Sequence, residues 1–405
     1  MKKDKPIITT LLDTDLYKLA MMYTMWKLGI GNNHVTYTFQ NRSTVPLGNI
    51  LVRSEVEEQL DELFNLDFSF TDLKFLHDSK MYPDDFLNYL ASFPRSEYTL
   101  SFRGDGTKDY HINGLWQSAV LYETASLAIF NELYTEKFES FGIEVKKENH
   151  RRIIYNLEKK CECLANSPFC EEIKFIELGT RRRSSSYNQL YVIDRLLEQF
   201  PNMMGTSNID IARKLGIPCK GTTAHEWFQC YAAKGFYTIS LQESQIKAIQ
   251  DWLKINYSMY ALTDTYGTDF FLNEVASHQD IVGKINFRQD SGNPINILKK
   301  YVAYFNKYNI SKDNRKVICS DGLNVFKILE IHNEFHNDLN LSYGWGTDLS
   351  NDGLIAPLPL VIKLSSVSNI TTVKLSDTPD KHFGDPNKIE MYKYAACNYP
   401  KENNN

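Results

Sequence analysis

The sequence predicts an α/β barrel with an α+β domain beside it. Several apolar or alternating segments typical of strands are each followed by a polar, glycine-containing loop, and helical periodicity resumes after at least two of these loops. The loops with the most distinctive residues lie at 179–185, 221–227, 288–292 and 344–348. Repetition of strand, loop and helix builds a barrel whose loops converge on one face. The arginines, histidine, aspartate and glycines on these loops indicate an anionic, phosphate-rich substrate.

The barrel is predicted over residues 141–365. The segment 173–178 alternates like a strand, and the helix that follows it has an apolar stripe at i, i+3 and i+7. After the strand-like segment 284–287, Asn293 and Pro294 have the residue types of an N-cap and a first helical position. Two further copies of the unit are expected at 260–267 and 317–322.

The α+β domain is predicted from residues 1–140 and 366–405. Alternating β-rich segments at 35–39 and 98–102 are separated by a mixed helical stretch, a turn is expected at 103–106, and a long helical pattern follows. Residues after 365 are strand-like and rich in turns, so we expect them to return to this domain. The polar C-terminal tail is expected to be disordered.

The composition is that of a soluble globular protein, with 42% hydrophobic and 23% charged residues in a chain of 405. The net charge of −5 argues against a general nucleic-acid or membrane-surface binder. The N-terminal residues lack the apolar core of a signal peptide, and no run approaches the roughly 18 apolar residues of a membrane span. We therefore expect a cytoplasmic protein.

Seven cysteines, an odd number spread over a long chain, favour a reduced protein over a disulfide framework. Cys161, Cys163 and Cys170 form a cluster, but their spacing lacks the C-x-x-C pair of structural zinc sites. Ordinary half-buried thiols are expected there.

A phosphate-binding loop is predicted at Gly344, Gly346 and Thr347. Late loops of such barrels bind phosphate with backbone amides at a helix start, and the glycines allow close backbone approach. The threonine adds a hydroxyl group. The alternative is a plain tight turn.

Arg288 and Asp290 are candidates for the reacting site because they follow a strand and, in extended backbone, point the same way. One would clamp an anion or an aromatic ring, while the other holds ribose hydroxyls or a metal. Asp321, at the next strand end, is a second candidate for hydroxyl or Mg²⁺ contact. The alternative for Arg288 and Asp290 is a surface ion pair that contributes little stability.

Arg181, Arg182 and Arg183 form a run that is usually a solvated charge cluster. At a strand end, at least one of them is expected to offer its guanidinium fork to phosphate or carboxylate. His225 differs from the other histidines because it lies in a Gly-Thr-Thr-Ala-His-Glu loop. Glu226 is expected to orient its ring or raise its basicity, which would aid attack on a phosphoryl donor.

These loops resemble those of nicotinate phosphoribosyltransferases of the bacterial type. The similarity extends to the segments at 14–18, 205–208, 264–268 and 320–324, so it covers most of the chain. The resemblance implies an incomplete α/β barrel of the type II phosphoribosyltransferase kind with a flanking α+β domain. It implies that nicotinate and phosphoribosyl pyrophosphate give nicotinate mononucleotide and pyrophosphate, the first step of NAD salvage from nicotinate.

The resemblance also implies that ATP is hydrolysed through phosphorylation of an active-site histidine, which the Gly-Thr-x-Ala-His-Glu-Trp motif places at His225. Mg²⁺ and a homodimer with shared active sites are further expectations. The sequence has no P-loop, so ATP is expected to overlap the phosphoribosyl-donor site. Tyr17 of the partner subunit would stack on the pyridine ring.

The remaining implied roles concern the anionic substrates. Thr222 would line the nicotinate pocket, and Arg288 would contact nicotinate and the phosphoribosyl donor. Asp290 and Asp321 would hold the ribose and Mg²⁺, and Arg181 would face the pocket. The loop of Gly344, Gly346 and Thr347 would hold the 5′-phosphate.

Selectivity for nicotinate is inferred from Ser207 and Asn208. The related nicotinamide enzymes have an aspartate in the corresponding loop, where it accepts the amide hydrogens. A nicotinate carboxylate would be repelled by an aspartate and tolerated by the neutral Ser207.

Other functions stay open at this point. A nicotinamide or quinolinate phosphoribosyltransferase is the nearest alternative, although few lysines in the glycine loops weigh against quinolinate. A non-catalytic sensor of phosphoribosyl ligands is the alternative from another class. The presence of His225, Arg288 and Asp290 argues against it.

Overall fold

The computed structural model describes residues 5–102 and 108–397. The chain divides into two compact units. The first comprises Met1–Gly221, Gly322–Glu330 and Tyr343–Lys363, and the second comprises Thr222–Asp321, Ile331–Ser342 and Leu364–Asn405.

The secondary structure alternates helices with short strands over most of the described chain. The helices are α1 (Leu16–Leu28), α2 (Leu47–Ile50), α3 (Arg53–Phe64), α4 (Phe70–Asp78), α5 (Asp84–Leu90), α6 (Trp116–Ala119), α7 (Tyr122–Glu139), α8 (Ile143–Ala165), α9 (Ser186–Gln199), α10 (Ile209–Leu215), α11 (His225–Gly235), α12 (Leu241–Leu253), α13 (Thr268–Phe270), α14 (Pro294–Lys307), α15 (Val325–Phe335), α16 (Thr347–Ser350) and α17 (Pro386–Cys397). The strands are β1 (His34–Asn41), β2 (Glu97–Phe102), β3 (Lys108–Leu115), β4 (Phe175–Glu177), β5 (Met203–Thr206), β6 (Tyr260–Leu262), β7 (Asn286–Gln289), β8 (Lys316–Cys319), β9 (Asn340–Trp345), β10 (Leu360–Val367) and β11 (Ile370–Thr371).

The two units differ from the predicted division into 1–140 plus 366–405 and 141–365. Residues 141–221 belong to the first unit, together with the N-terminal part of the chain. One reason is that α7 packs against the 3₁₀ turn Thr180–Arg182, which follows β4.

The first unit contains both antiparallel and parallel strand pairs. β3 lies between β1 and β2 and is antiparallel to both, with Tyr37 opposite Ile112 and Tyr98 opposite the same residue. β4 pairs in parallel with β5 and with the second half of β9. The strands predicted at 35–39, 98–102 and 173–178 are thus present, whereas the turn predicted at 103–106 lies outside the described residues.

The second unit contains the parallel strands β6, β7 and β8, with β7 in the middle. α14 begins as predicted, since Pro294 is its first residue and the Asn293 side chain accepts a hydrogen bond from the backbone at Asn296. Phe287 of β7 packs against Tyr301 and Phe305 of this helix, with ring centroids 4.9 and 5.1 Å away. Because parallel strands end at one edge, the residues that follow β6, β7 and β8 meet there.

The C-terminal residues begin with strand, as predicted, in the end of β10 and in β11, and differ from the prediction further along. Residues 386–397 form helix α17 rather than a strand-like segment, and 364–397 belong to the second unit. α17 packs on α12, and the Tyr392 ring stacks at 6.3 Å on Phe236. The polar tail at 402–405 lies outside the described residues.

The architecture is therefore α/β with mixed sheets, while the incomplete barrel stays a prediction. Within the described ranges, no helix combines the length and apolar character needed to cross a membrane.

Candidate active site

His225 is the central side chain of a polar cluster in the second unit. It is the first residue of α11, and its side chain is 18% exposed. Its Nδ1 lies 3.0 Å from the Thr265 hydroxyl. Its Nε2 lies 3.1 Å from Oδ2 of Asp290 and 2.8 Å from Nζ of Lys374. Both ring nitrogens therefore have partners, and these three residues hold the ring in its orientation.

Asp264 lies behind this ring and is fixed by several neighbours. It lies two residues after the end of β6 and is 1% exposed. The Ser291 hydroxyl donates to its Oδ2 at 2.6 Å, and Nζ of Lys374 lies 3.2 Å from the same oxygen. Its other oxygen lies 3.7 Å from Nε2 of His225. Lys374 is thus held between a buried carboxylate and the imidazole.

Arg288 has its guanidinium group fixed by three neighbours. Its Nε donates to the Ser320 hydroxyl at 2.8 Å and its Nη1 to the Thr222 hydroxyl at 2.6 Å. Its Nη2 donates to Oδ1 of Asp290 at 2.9 Å. The expectation that Arg288 and Asp290 point the same way from β7 is confirmed by this pair.

Charge in the cluster is set by burial and by close cations. Burial lowers the pKa of His225, and the Lys374 ammonium lowers it further against the opposing effects of Asp264 and Asp290, so the ring is neutral at pH 7. Burial raises the pKa of Asp290, but the neighbouring cations, Arg288 foremost, outweigh burial and hold it well below its usual range. For Asp264, Lys374 likewise outweighs burial and lowers the pKa.

Asp321 follows β8 and is paired with a cation. Nζ of Lys381 donates to its Oδ1 at 2.5 Å and to the backbone carbonyl oxygen of Asp290 at 3.3 Å. An ammonium group therefore occupies the place where these oxygens converge. The side-chain atoms of His225, Asp264 and Asp290 form a second group of possible metal ligands, all within 4.8 Å of one another.

In the first unit, the three consecutive arginines have different surroundings. Arg183 is fully buried and forms ion pairs with Asp13 and Glu132. Arg182 donates to the carbonyl oxygen of Leu360 at 3.4 Å. Arg181 is half-buried, and its charge acts to lower the pKa of the Asp15 carboxyl group, two residues before Tyr17. Arg183 is therefore a structural residue, whereas Arg181 and Arg182 are both half-buried.

Ser207 contacts a carboxyl group that the sequence did not indicate. Its hydroxyl donates to Oδ1 of Asp15 at 2.6 Å, although the two residues are 192 positions apart in the chain. Burial raises the pKa of Asp15, against the lowering effects of Ser207 and Arg181. Tyr17 is half-buried and two residues further along. The neutral loop predicted at 207–208 thus has an aspartate beside it.

The predicted phosphate loop is shorter than expected. Gly344 lies inside β9, paired with Ile176, and Gly346 precedes the short helix α16, which starts at Thr347. A Cβ atom on Gly346 would lie 3.0 Å from the Leu178 carbonyl oxygen, which is tighter than most Cβ contacts, so the close approach favours glycine. The amides that follow the strand are those of Gly346 and Thr347.

The His225 cluster comprises His225, Arg288, Asp290 and the side chains that contact them. Sequence reasoning assigned no role in the site to five of these residues. Asp264 had a usable signal, because it follows a strand as Asp290 and Asp321 do. Lys374 and Lys381 had none, because each is an isolated lysine in a C-terminal segment that was assigned to the other domain. The two others are the hydroxyl residues Thr265 and Ser320.

Comparison with known families decides the relationship of this chain. The model of the nicotinate phosphoribosyltransferase (NAPRTase) family matches residues 173–399, and the model of its N-terminal domain matches residues 12–131. The chain belongs to the nicotinate phosphoribosyltransferase family.

Similarity to individual nicotinate phosphoribosyltransferases extends over nearly the whole chain. The enzyme of Photorhabdus laumondii is 32% identical over 98% of this chain and 97% of its own length. That of Chromobacterium violaceum is 33% identical over 94% of each chain. The crystal structure of the Vibrio cholerae enzyme superposes with a TM-score of 0.85 at 28% identity, covering 97% of this chain and 94% of its own. The Porphyromonas gingivalis enzyme gives 0.82 at 27%, covering 96% and 100%.

Proposed function

We propose that this protein joins nicotinate to phosphoribosyl pyrophosphate and hydrolyses ATP alongside through a phosphorylated His225. Membership of the family supports the transfer reaction. The single observation that carries the ATP step is the environment of His225, a neutral imidazole held at both nitrogens, with the Lys374 ammonium at Nε2 and the Arg288 guanidinium on the shared neighbour Asp290. A neutral imidazole is a nucleophile, and the nearby cations suit a triphosphate.

The transfer reaction needs positioning more than protein nucleophiles. The ring nitrogen of nicotinate attacks the anomeric carbon as pyrophosphate leaves, so the protein must orient the donor and neutralise charge on the leaving group. Arg288 presents a guanidinium group whose direction is fixed by Thr222, Ser320 and Asp290. We assign nicotinate and donor contacts to Arg288 and Thr222.

The residues around Asp321 fit a Mg²⁺ ion. The Asp321 carboxylate and the Asp290 carbonyl oxygen already attract a cation, the ammonium of Lys381, and oxygen ligands are those that Mg²⁺ prefers. When bound, the ion would neutralise diphosphate charge. We therefore propose Asp290 and Asp321 as the residues that hold it, with Lys381 moving to the diphosphate.

Further roles are proposed for residues of the first unit. Arg181 and Ser207 would contact substrate, and Tyr17 would stack on the pyridine ring of a partner subunit's substrate within a homodimer. The backbone amide of Gly346 and the hydroxyl of Thr347 would bind the 5′-phosphate. Gly344 would position this loop through its place in β9. The parallel strand pairs in each unit support the proposal of an incomplete barrel.

Nicotinamide is the second candidate substrate because of Asp15. A carboxylate beside Ser207 can accept the amide hydrogens of nicotinamide. The relatives that match nearly the whole chain are nicotinate phosphoribosyltransferases, and the neutral Ser207 tolerates a substrate carboxylate. Nicotinate is therefore preferred.

The variant His225→Ala tests the ATP step. We expect stimulation by ATP to disappear while ATP-independent synthesis remains, because transfer to nicotinate does not need the imidazole. Product formation is measured with and without ATP at a fixed donor concentration. His278→Ala is the matched control, since His278 is an exposed histidine of the same unit, and it should keep the stimulation. Full ATP stimulation in His225→Ala would exclude the phosphohistidine.

A further inference from the structure

The two contacts at Nε2 of His225 place opposite demands on that nitrogen. The Asp290 carboxylate only accepts, so a hydrogen bond over its 3.1 Å distance needs a proton on Nε2. The Lys374 ammonium only donates, so a hydrogen bond over its 2.8 Å distance needs a lone pair on Nε2. A neutral imidazole has one ring proton and cannot form both hydrogen bonds at once.

The surroundings of the ring favour the contact with Lys374. The Thr265 hydroxyl donates to the Leu262 carbonyl oxygen at 3.4 Å and so accepts a hydrogen bond from Nδ1, and it must rotate to donate to Nδ1 in the other tautomer. Lys374 is the closer partner of Nε2, and its side chain is only 9% exposed. It is also held by Asp264, which the Ser291 hydroxyl fixes in turn.

We propose that Lys374 selects the tautomer of His225 in which Nε2 carries the lone pair, and that its ammonium then gives up this position to the phosphoryl group. This inference rests on the proposed phosphorylation of His225. Without Lys374, Nε2 would carry the proton and donate it to Asp290. The nitrogen nearest the ionised carboxylate would then have no lone pair for attack.

The phosphoryl transfer balances without another reactant. The lone pair of Nε2 forms the bond to the γ-phosphorus of ATP, and the bond from that phosphorus to the bridging oxygen breaks. ADP leaves with the electron pair of that bond. Nδ1 keeps its proton and donates a hydrogen bond to the Thr265 hydroxyl, while Lys374 moves from Nε2 to an oxygen of the transferred group.

The test compares tautomers in the full-length protein without ATP. Protein labelled with ¹⁵N-histidine is examined by NMR at one pH, and the His225 signals are assigned by their loss in His225→Gln. In the native protein we expect the proton on Nδ1. In Lys374→Met we expect it on Nε2, a shift of about 10-fold or more in the tautomer ratio, since a hydrogen bond from a charged donor is lost. An Nδ1 proton in Lys374→Met would overturn the proposal.

Matched variants separate the effect from a general loss of charge or of folding. Lys381→Met removes a lysine from the same segment that contacts Asp321, and the His225 tautomer should be unchanged. Lys374→Arg keeps a charged donor and should keep the native tautomer. If Lys374→Met does not fold, it is replaced by the double variant Lys374→Met/Asp264→Asn, which removes the buried anion together with its cation. A native tautomer in that double variant would also overturn the proposal.

A phosphorylation assay distinguishes this inference from the proposed function. ATP labelled in the γ-phosphate should label the native protein at His225 and label Lys374→Met about 10-fold more slowly or less. Absence of label in the native protein would contradict the phosphohistidine itself. Label in the native protein, together with an unchanged tautomer in Lys374→Met, would contradict only the role of Lys374.

Discussion

Replacing Arg288 by alanine should lower kcat/KM about 10²–10³-fold, with or without ATP, because loss of one preorganised donor for developing charge has that effect in other enzymes. Its guanidinium direction is fixed by Thr222, Ser320 and Asp290, so a substrate anion meets an oriented fork without reorganisation. Initial rates over a range of donor concentrations give the value. His225→Ala is expected to keep its ATP-independent synthesis, whereas Arg288→Ala should lose that synthesis as well.

A control for Arg288→Ala is available in the same unit. Arg315 donates to the carbonyl oxygen of Ile310 and does not contact the His225 cluster. Arg315→Ala should therefore leave kcat/KM near the native value. Near-normal kinetics in Arg288→Ala would remove Arg288 from the reacting site. Arg288→Lys should stay impaired, because an ammonium cannot reproduce the three directions of donation.

Replacing Arg183 by alanine should destabilise the protein by about 3–5 kcal/mol, because it leaves buried carboxylates without their cation. Nη1 and Nη2 of Arg183 donate to the two oxygens of Asp13 at 2.7 and 2.8 Å, and Nε donates to Glu132 at 2.6 Å. Burial raises the pKa of Asp13, but Arg183 outweighs it and lowers the pKa, so the carboxylate is ionised at pH 7. Urea denaturation measures the loss.

Arg195→Ala is the comparison for Arg183→Ala. Arg195 is a more exposed arginine of α9 and pairs with Glu198 one turn away. Exposed pairs of this kind contribute about 0–1 kcal/mol, so the denaturation midpoint should hardly move. Equal midpoints for the two variants would show that the Arg183 network does not stabilise the first unit.

Much of the local fold could be predicted from the sequence because it follows from periodicity and capping. The alternation at 173–178 predicts β4, and Asn293 with Pro294 predicts the start of α14. The domain division could not be predicted in this way. It depends on long-range packing, such as that of α7 on the turn Thr180–Arg182 and of α17 on α12, which has no local signal.

The candidate site was predictable where residues follow strands. His225, Arg288 and Asp290 come together in the structure as their loops indicated, and Thr222 joins them through Arg288. Lys374 was missed because it comes from a separate C-terminal segment. Residue type alone did not separate Arg183 from Arg181, and it is the burial of Arg183 against Asp13 and Glu132 that identifies it as a structural residue.

The most direct test of the central claim is product formation by the purified protein with phosphoribosyl pyrophosphate and Mg²⁺. Nicotinate, nicotinamide and quinolinate are offered separately, each with and without ATP, and mononucleotides are separated by chromatography. We expect nicotinate mononucleotide, formed faster with ATP. Product from nicotinamide or quinolinate alone, or from none of the three, would contradict the account.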